Sequence, residues 1–240
     1  MFAFNFSHVL SRMGLVLLLA AGGVNAAETG GNKRNAPAVA PASDEGQLAI
    51  QKFKVPDGFQ IDLFAAEPRL ANPVCFTIDD QGRFYVSETF RHTDGVLDIR
   101  RYMNWLEEEL ANKTMDDHRA TIQRHITETP HMTRESERVR LIEDRDRDGK
   151  ADYDSVFATG FNTELHGIGA GLLARKGDVY FTCIPNLYLL LDENGDGRAD
   201  VRKVLQTGYA VRFGFLGHDL HGLRIGPDGK LYFSIGDLGF

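Results

Sequence analysis

The sequence predicts an all-β fold, a β-propeller, and three observations lead to it. The stretches at 139–161, VRLIEDRDRDGKADYDSVFATGF, and at 187–209, LYLLLDENGDGRADVRKVLQTGY, share one order: apolar run, acidic loop, Ala-Asp pair, second run. Their loop glycines, Gly149 and Gly197, lie 48 residues apart, a period typical of repeat folds. A His-Gly pair and a tyrosine-containing run follow each copy. Each repeat therefore contains four short strands, which is the content of one propeller blade.

Composition excludes two classes of partner. Of 240 residues, 42% are hydrophobic and 25% charged, as in an ordinary globular protein. The formal net charge is −7. Nucleic acid and anionic membranes both require a basic face, so neither is expected as a partner.

The first 26 residues predict a secretory signal peptide. Arg12 precedes a short apolar run at 13–23, and Val24-Asn25-Ala26 forms a small-x-small cleavage motif. Spanning a bilayer takes about 20 apolar residues, so a cleaved signal is favoured over an anchor. The mature protein is expected to be exported, to the periplasm or the cell surface. Residues 27–50, rich in Ala, Pro and Gly, predict a linker, and 51–240 the propeller domain.

The two cysteines, Cys75 and Cys183, leave two interpretations open. An oxidising compartment permits a disulfide between them. Each also lies in an apolar, strand-like stretch, where a free cysteine packs as a small hydrophobic residue.

Strand signals divide the domain into about two and a half blades. Residues 74–78 and 83–88 flank a turn and predict a hairpin, a complete blade is expected at about 166–209, and another hairpin at about 218–237. A propeller closes with at least four blades, so the sequence is expected to be part of a longer protein.

A helical insertion is predicted at about 100–135, inside the first blade. Apolar residues recur there at roughly helical spacing, and the glutamates at 107–109 are expected on the opposite, solvent-facing side. The residues expected to pack are Tyr102, Met103, Trp105, Leu106, Leu110, Met115 and Ile122.

The two acidic loops resemble calcium-binding turns. Oxygen donors occupy positions 1, 3, 5 and 9, with glycine at position 6, so alternate side chains converge on one point. Neither loop has glutamate at position 12, where Ser155 and Val204 stand, so they are not EF-hands. Solvated hairpin turns are the alternative. The predicted Ca²⁺ ligands are Asp144, Asp146, Asp148 and Asp152 in the first loop, and Asp192, Asn194, Asp196 and Asp200 in the second.

Histidines precede the predicted inner strands, and the loops before inner strands face one open end of a propeller channel. His166 and His221 occupy equivalent repeat positions, whereas His218 has no counterpart. A histidine there suits general-base chemistry near neutral pH. Arg212 and Arg224 are candidates for holding an anionic group. The alternative is that the repeated histidines serve turns and hydrogen bonds between blades.

The stretch HDLHGLRIGPDGKLYFSIGD at 218–237 resembles the soluble quinoprotein glucose and sorbosone dehydrogenases. FKVPDGF at 53–59 and SET at 87–89 are closer to the planctomycete-type membrane-bound dehydrogenase domain, and this likeness covers about 50–240. The resemblance implies a six-bladed propeller binding pyrroloquinoline quinone and calcium, with the catalytic base at His218. The position before the base, Asp in that family, is Gly217 here. The implied cofactor-binding residues are Glu164, His166, Arg212, His221 and Arg224.

Three functions follow as expectations. In the first, an exported quinoprotein-like dehydrogenase oxidises a sugar or alcohol, His218 taking the hydroxyl proton and hydride passing to the quinone. No Cys-x-x-Cys-His motif occurs, so its electrons require an acceptor, such as a c-type cytochrome, on another region or protein. In the second, a calcium-stabilised propeller binds a ligand or partner without catalysis. The third is a lactonase-type hydrolase whose channel calcium is held by Glu88, Glu164 and Asn186.

Overall fold

The structure, a computed structural model, describes residues 2–6, 15–17, 38–92, 94–126 and 130–236. Strands dominate it, and short helices cluster between the second and third strands of the first four-stranded sheet. The strands are β1 (Phe2–Phe6), β2 (Leu15–Leu17), β3 (Phe59–Leu63), β4 (Pro73–Ile78), β5 (Phe84–Glu88), β6 (Glu137–Glu143), β7 (Tyr153–Phe161), β8 (Gly169–Arg175), β9 (Asp178–Cys183), β10 (Asn186–Leu191), β11 (Val201–Thr207), β12 (His221–Ile225) and β13 (Leu231–Ser234). The helices are α1 (Glu45–Ile50), α2 (Leu106–Ala111), α3 (Met115–His125) and α4 (Pro130–Arg134), with 3₁₀ turns at Ile99–Arg101 and Met103–Trp105.

Two antiparallel four-stranded sheets form the main body. β4-β5-β6-β7 make the first sheet and β8-β9-β10-β11 the second, each in chain order, and β12 pairs with β13 in a hairpin. The predicted hairpins at 74–88 and 218–237 and the repeat at 166–209 are therefore confirmed as strands. The acidic loops join the third and fourth strand of each sheet, at equivalent positions. These sheets do not by themselves establish a closed propeller, which stays a prediction.

Side-chain hydrogen bonds and a glycine stabilise the turn of the first hairpin, between β4 and β5. Asp79 Oδ1 accepts hydrogen bonds from the backbone amides of Gln81 and Arg83, each 2.9 Å long. Gly82 has a φ of +83°, a left-handed conformation that glycine adopts without steric cost. Every residue of β5 is buried, so this strand runs through the middle of the molecule rather than along its surface.

Hydroxyl groups connect successive sheets. Ser87 Oγ on β5 donates to the carbonyl of Gly169 at the start of β8, at 2.6 Å. Thr182 Oγ1 on β9 donates in the same way to the carbonyl of Leu220, just before β12, at 2.5 Å. The main core lies between the two four-stranded sheets, so neither sheet buries its apolar face alone. Its members include Tyr85, Val139, Leu141, Phe157, Phe161, Leu172, Phe181 and Leu190.

The predicted helical insertion is present, but two expectations about its faces are wrong. Met103 is 57% exposed and Leu110 is 56% exposed, although both were expected to pack. Glu109, expected in solvent, is buried. The insertion consists of short turns and helices separated by breaks, so a helical period does not continue across it. Trp105 and Ile122 do pack inward, as predicted, against the loops that precede β8 and β12.

The segment before the sheets differs from the expected linker over its last residues. α1 occupies Glu45–Ile50, and Leu63 of β3 lies against Gly46. Of the predicted signal peptide, only β1 and β2 are described; β1 pairs with β3. The rest of that peptide and residues 27–37 lie outside the described residues.

Among the helices that the structure describes, none combines the length and apolar character that crossing a bilayer requires. Both cysteines are free thiols, and each packs at the core between the sheets. This agrees with the hydrophobic-packing interpretation of Cys75 and Cys183.

Candidate functional site

A cleft lies between the helical insertion and the loops that precede β8 and β12. Its empty volume is about 410 Å³, including the open mouth. Leu97, Ile184 and Phe213 contribute apolar surface, and residues 164–167, Leu216, Gly217 and Asp219 form part of the wall. The polar side chains lining the cleft are His118, Glu164, His166, Arg212 and Asp219. The two loops that the repeat singled out therefore meet at one site.

Arg91 holds the inner wall of the cleft in place. It lies in the loop that follows β5, after Thr89 and Phe90, and is completely buried. Its guanidinium donates to the carbonyls of Thr163 at 2.8 Å and His166 at 2.7 Å, and to that of Met132 in α4 at 3.1 Å. One side chain thus ties the loop before β8 to the insertion. A planar fork of five N–H donors suits this task.

The loop before β12 is fixed to the loop before β8 by a carboxylate. Asp219 is fully buried, and its Oδ1 accepts a hydrogen bond from the backbone amide of Ile168 at 3.1 Å. A Cβ at Gly167 would come within 2.3 Å of that oxygen. Glycine at this position therefore allows the two loops to approach each other.

His166 lines the cleft, but both of its ring nitrogens are engaged. Nδ1 accepts from the backbone amide of Thr163 at 2.9 Å, so Nε2 carries the proton and donates to the Tyr188 hydroxyl at 2.9 Å. Burial lowers the pKa of His166 to about 4, and the charges of Arg91 and Arg202 add to the effect. These contacts match the interpretation in which His166 orders a turn.

Glu164 and Arg212 face the cleft from opposite segments. Glu164 Oε1 pairs with Arg119 Nε of α3 at 3.0 Å. Arg212 Nε donates to the carbonyl of Asn112 at 3.3 Å. Both partners belong to the insertion, so each side chain also connects the insertion to the loops of the sheets.

The other predicted residues lie outside the cleft. His218 is exposed and lies in the chain between the lining residues Gly217 and Asp219, and its ring meets Phe215 edge-on at 5.4 Å. His221 is exposed on β12, with Nδ1 3.5 Å from Ser234 Oγ. Arg224, also exposed on β12, donates to the carbonyl of Leu223. The structure therefore brings together three of the six predicted catalytic and cofactor residues.

In the first acidic loop, the oxygens of three carboxylates lie close together. In the second loop, one side chain donates a hydrogen bond to another. Oxygens of Asp144, Asp146 and Asp148 all lie within 4.8 Å of one another. Asp152 accepts from the backbone amide of Arg145 at 2.8 Å. These three clustered carboxylates are the ones that could share a cation.

In the second loop, Asn194 Nδ2 donates to Asp200 Oδ1 at 2.8 Å. Asp192 accepts from the backbone amides of Gly195 and Gly197, at 2.8 and 2.9 Å. Asp196 accepts from the amide of Arg198 at 2.9 Å. Asp144 and Asp148 of the first loop accept from the equivalent backbone amides, so the two loops differ in the bond from Asn194 to Asp200.

The proposed lactonase ligands do not converge among the described residues. Glu88 is buried against Arg140, with Oε1 2.9 Å from Nε. Asn186 donates to the Tyr188 hydroxyl at 2.7 Å, and Glu164 pairs with Arg119. Each group has its own partner, so they present no shared oxygen site.

Sequence reasoning missed four site residues. Arg91 and Asp219 are buried charges, and for neither does the local sequence pattern indicate burial. Glu109 and His118 belong to the insertion, whose polar residues were assigned to solvent. Glu109 and His118 are not at the i+3 or i+4 spacing that brings side chains together on one helix. They meet because the chain turns between α2 and α3.

Comparison with known proteins gives one match. Neither a curated protein nor a solved structure matches the chain. The sequence model of DUF7133, described as a domain of unknown function, matches residues 45–239. That span includes both four-stranded sheets, the insertion and the cleft, and the chain therefore belongs to the DUF7133 family.

Proposed function

We propose that the chain forms the first blades of a β-propeller. The first strands of successive sheets lie side by side, β4 next to β8 and β8 next to β12, as inner strands do around a channel. The hydroxyls of Ser87 and Thr182 each hold the start of the next sheet. Ser234 on β13 occupies the equivalent sequence position, in YFS against YVS and YFT. It is the expected anchor for a following blade.

The cleft is the proposed binding site, and its ligand is a hydroxylated small molecule such as a sugar or an alcohol. One observation carries this proposal: the loops before β8 and β12 meet at the cleft, where Glu164 and Arg212 face it. Carboxylate and guanidinium groups beside apolar walls suit a ligand with both hydroxyls and carbon surface. Arg91 and Asp219 hold the walls from behind.

Quinone-dependent oxidation is the second candidate, and one observation favours it. His218, the base that the resemblance implies, is exposed and is flanked in the chain by the lining residues Gly217 and Asp219. Pyrroloquinoline quinone is a polycarboxylate, so its binding there would also need cations from outside the lining of this cleft. Arg212 shares the cleft with the carboxylates of Glu164 and Asp219, while Arg224 lies away on β12.

Ligand binding tests the first proposal. Sugars and simple alcohols are titrated into the full-length protein by calorimetry. Arg212→Gln is expected to weaken binding about tenfold or more, because hydrogen bonds to charged groups contribute roughly 1.5–3 kcal/mol. Arg224→Gln, an exposed arginine on β12, is the matched control and should leave affinity unchanged. Equal losses in both variants, or no binding at all, would contradict the site.

The oxidation candidate has its own test. Full-length protein is mixed with the quinone and a dye acceptor in the presence of each sugar or alcohol. A positioned general base is typically worth about 10²–10⁴-fold in rate, so His218→Ala should reduce turnover by that factor. His166→Ala should have a smaller effect on chemistry, since its nitrogens are already engaged. Binding of sugars without any dye reduction would leave the non-catalytic module as the function.

A further inference from the structure

A chain of buried hydrogen bonds runs through the helical insertion and ends at the cleft. Thr121 Oγ1 donates to Asn112 Oδ1 at 3.0 Å, and Asn112 Nδ2 donates to Glu109 Oε2 at 2.7 Å. The other carboxylate oxygen, Oε1, lies 3.1 Å from His118 Nδ1. All four residues are buried, with exposures of 5% or less. Interactions in such a dry environment are strong and directional.

The direction of these bonds and one short contact favour a proton on Nδ1 of His118. Asn112 uses its oxygen as acceptor towards Thr121, so its amide nitrogen must donate to Glu109. Oε1 of Glu109 then has Nδ1 of His118 as its near neighbour, and neither atom has another hydrogen-bond partner. The ring N–H does not point straight at the oxygen, although the distance suits a bond. A proton on Nδ1 lies beside the carboxylate oxygen that has no other partner, which leaves a lone pair on Nε2.

His118 lies in the wall of the cleft. Its ring meets Phe213, another lining residue, edge-on at 5.9 Å. Glu164 and Arg212 line the same space. Among the described residues, Nε2 of His118 has no hydrogen-bond partner, unlike both nitrogens of His166. A hydroxyl in the cleft would therefore find an acceptor at this position.

We propose that Glu109 and His118 form the proton-accepting pair of the cleft, with Nε2 of His118 accepting the hydrogen bond of a ligand hydroxyl. The inference rests on the proposed function, because the ligand is the hydroxylated molecule expected there. Glu109 acts as a positioning residue, holding the tautomer that exposes a lone pair. In a reaction that removes the hydroxyl proton, the proton moves to Nε2 and the carboxylate stabilises the imidazolium.

A second pair, Glu108 of α2 and His125 of α3, provides an internal control. Glu108 Oε2 lies 2.6 Å from Nε2 of His125, whose ring stacks on Trp105 at 4.3 Å. This pair does not line the cleft. Its carboxylate contacts Nε2 rather than Nδ1, so the two histidines are expected to hold opposite tautomers.

Nitrogen NMR of the full-length protein, labelled at histidine, tests the pair at about pH 8, where unperturbed histidines are neutral. The expected result is an Nδ1–H tautomer at His118 and an Nε2–H tautomer at His125, each assigned by substitution to glutamine. In Glu109→Gln, the amide can accept from Asn112 and donate to Nδ1, which moves the proton of His118 to Nε2. An Nε2–H tautomer or an imidazolium at His118 in the native protein would overturn the proposal.

Glucose serves as the ligand probe. Its binding should shift the Nε2 resonance of His118, leave that of His125 unchanged, and be about tenfold weaker in Glu109→Gln, where Nε2 becomes a donor. Glucose binding that leaves His118 unperturbed would also overturn the proposal. Absence of glucose binding would contradict the proposed function for sugars, whereas the tautomer measurement would still decide the state of the pair.

Discussion

At the scale of single residues, buried charges organise the cleft. Among the described residues, the side-chain hydrogen bonds of Arg91 go to main-chain carbonyls rather than to carboxylates, and burial lowers the pKa of its guanidinium. Replacing it would leave several buried acceptors unpaired, which is costly. The carbonyls that it contacts belong to Gly95, Met132, Thr163, His166 and Gly167. Arg91 therefore joins three separate segments of the chain.

His166 predicts a loss of stability in acid. Burial lowers its pKa from 6.5 to about 4 in the folded protein. Between these values the unfolded chain binds the proton and the folded protein does not, so stability is retained above pH 6.5 and falls as the pH drops towards 4. The loss attributable to His166 is expected to be about 3 kcal/mol at most. Denaturant unfolding at a series of pH values measures it.

Two variants separate His166 from other groups. Burial raises the pKa of both Glu88 and Glu137, and these carboxyls act in the opposite sense, favouring the folded state as the pH falls. The difference between native protein and His166→Gln therefore isolates the histidine. His92→Gln, an exposed control, should keep the native pH dependence. An unchanged pH profile in His166→Gln would refute the prediction.

At the scale of elements, the two acidic hairpins share a sequence pattern but differ in how the loop closes. In the loop between β6 and β7, Asp144, Asp146 and Asp148 bring their oxygens together. In the loop between β10 and β11, the Asn194 side chain donates to Asp200 instead. Like charges held this close repel unless a cation or solvent offsets them. The first loop is thus the better candidate for calcium.

Calcium is expected to stabilise the protein through the first loop. A ligand that binds only the folded state adds roughly 2.7 kcal/mol at a concentration of 100 Kd. The Tm of the full-length protein should therefore rise with calcium and fall with a chelator. Asp148→Asn should abolish most of this difference, while Asp196→Asn, the equivalent change in the second loop, should retain it. Identical Tm values with calcium and chelator would rule out the site.

At the scale of the whole molecule, contact between sheets depends on close approach of backbones. Gly169 begins β8, where its carbonyl accepts from Ser87 and its amide donates to Glu137 at 3.0 Å. A Cβ there would lie 2.5 Å from Cζ of Phe181 and 2.8 Å from Ser87 Oγ. The junction between the first and second sheets therefore has no room for a side chain.

Gly169→Ala is expected to destabilise the protein by about 3 kcal/mol, since overpacking a tight core typically costs 1–3 kcal/mol and a bond between sheets is strained as well. Gly82→Ala is the control: its φ of +83° is strained for alanine, but nothing lies within 4 Å. That variant should lose only about 1 kcal/mol. Denaturant unfolding compares the two, and equal losses would show that space at the junction is not limiting.

Part of this description was predictable from local pattern. Alternation, turn residues and the 48-residue repeat predicted the strands of both sheets, because strand and turn preferences act over a few neighbouring residues. The faces of the insertion were mispredicted at Met103, Glu109 and Leu110. Periodicity indicates a face only while one helix continues, and the chain breaks between α2 and α3.

The sequence by itself determined the β-rich repeat, the acidic hairpins and the equivalence of the loops that contain His166 and His221. Only the tertiary structure decided which side chains share the cleft. In the folded chain, His166 is hydrogen-bonded to Tyr188, and Glu109 contacts His118. His221 lies outside the cleft, on β12. The physical reason is that hydrogen bonding and burial of polar groups depend on partners distant in the chain, and no local spacing specifies where those partners meet.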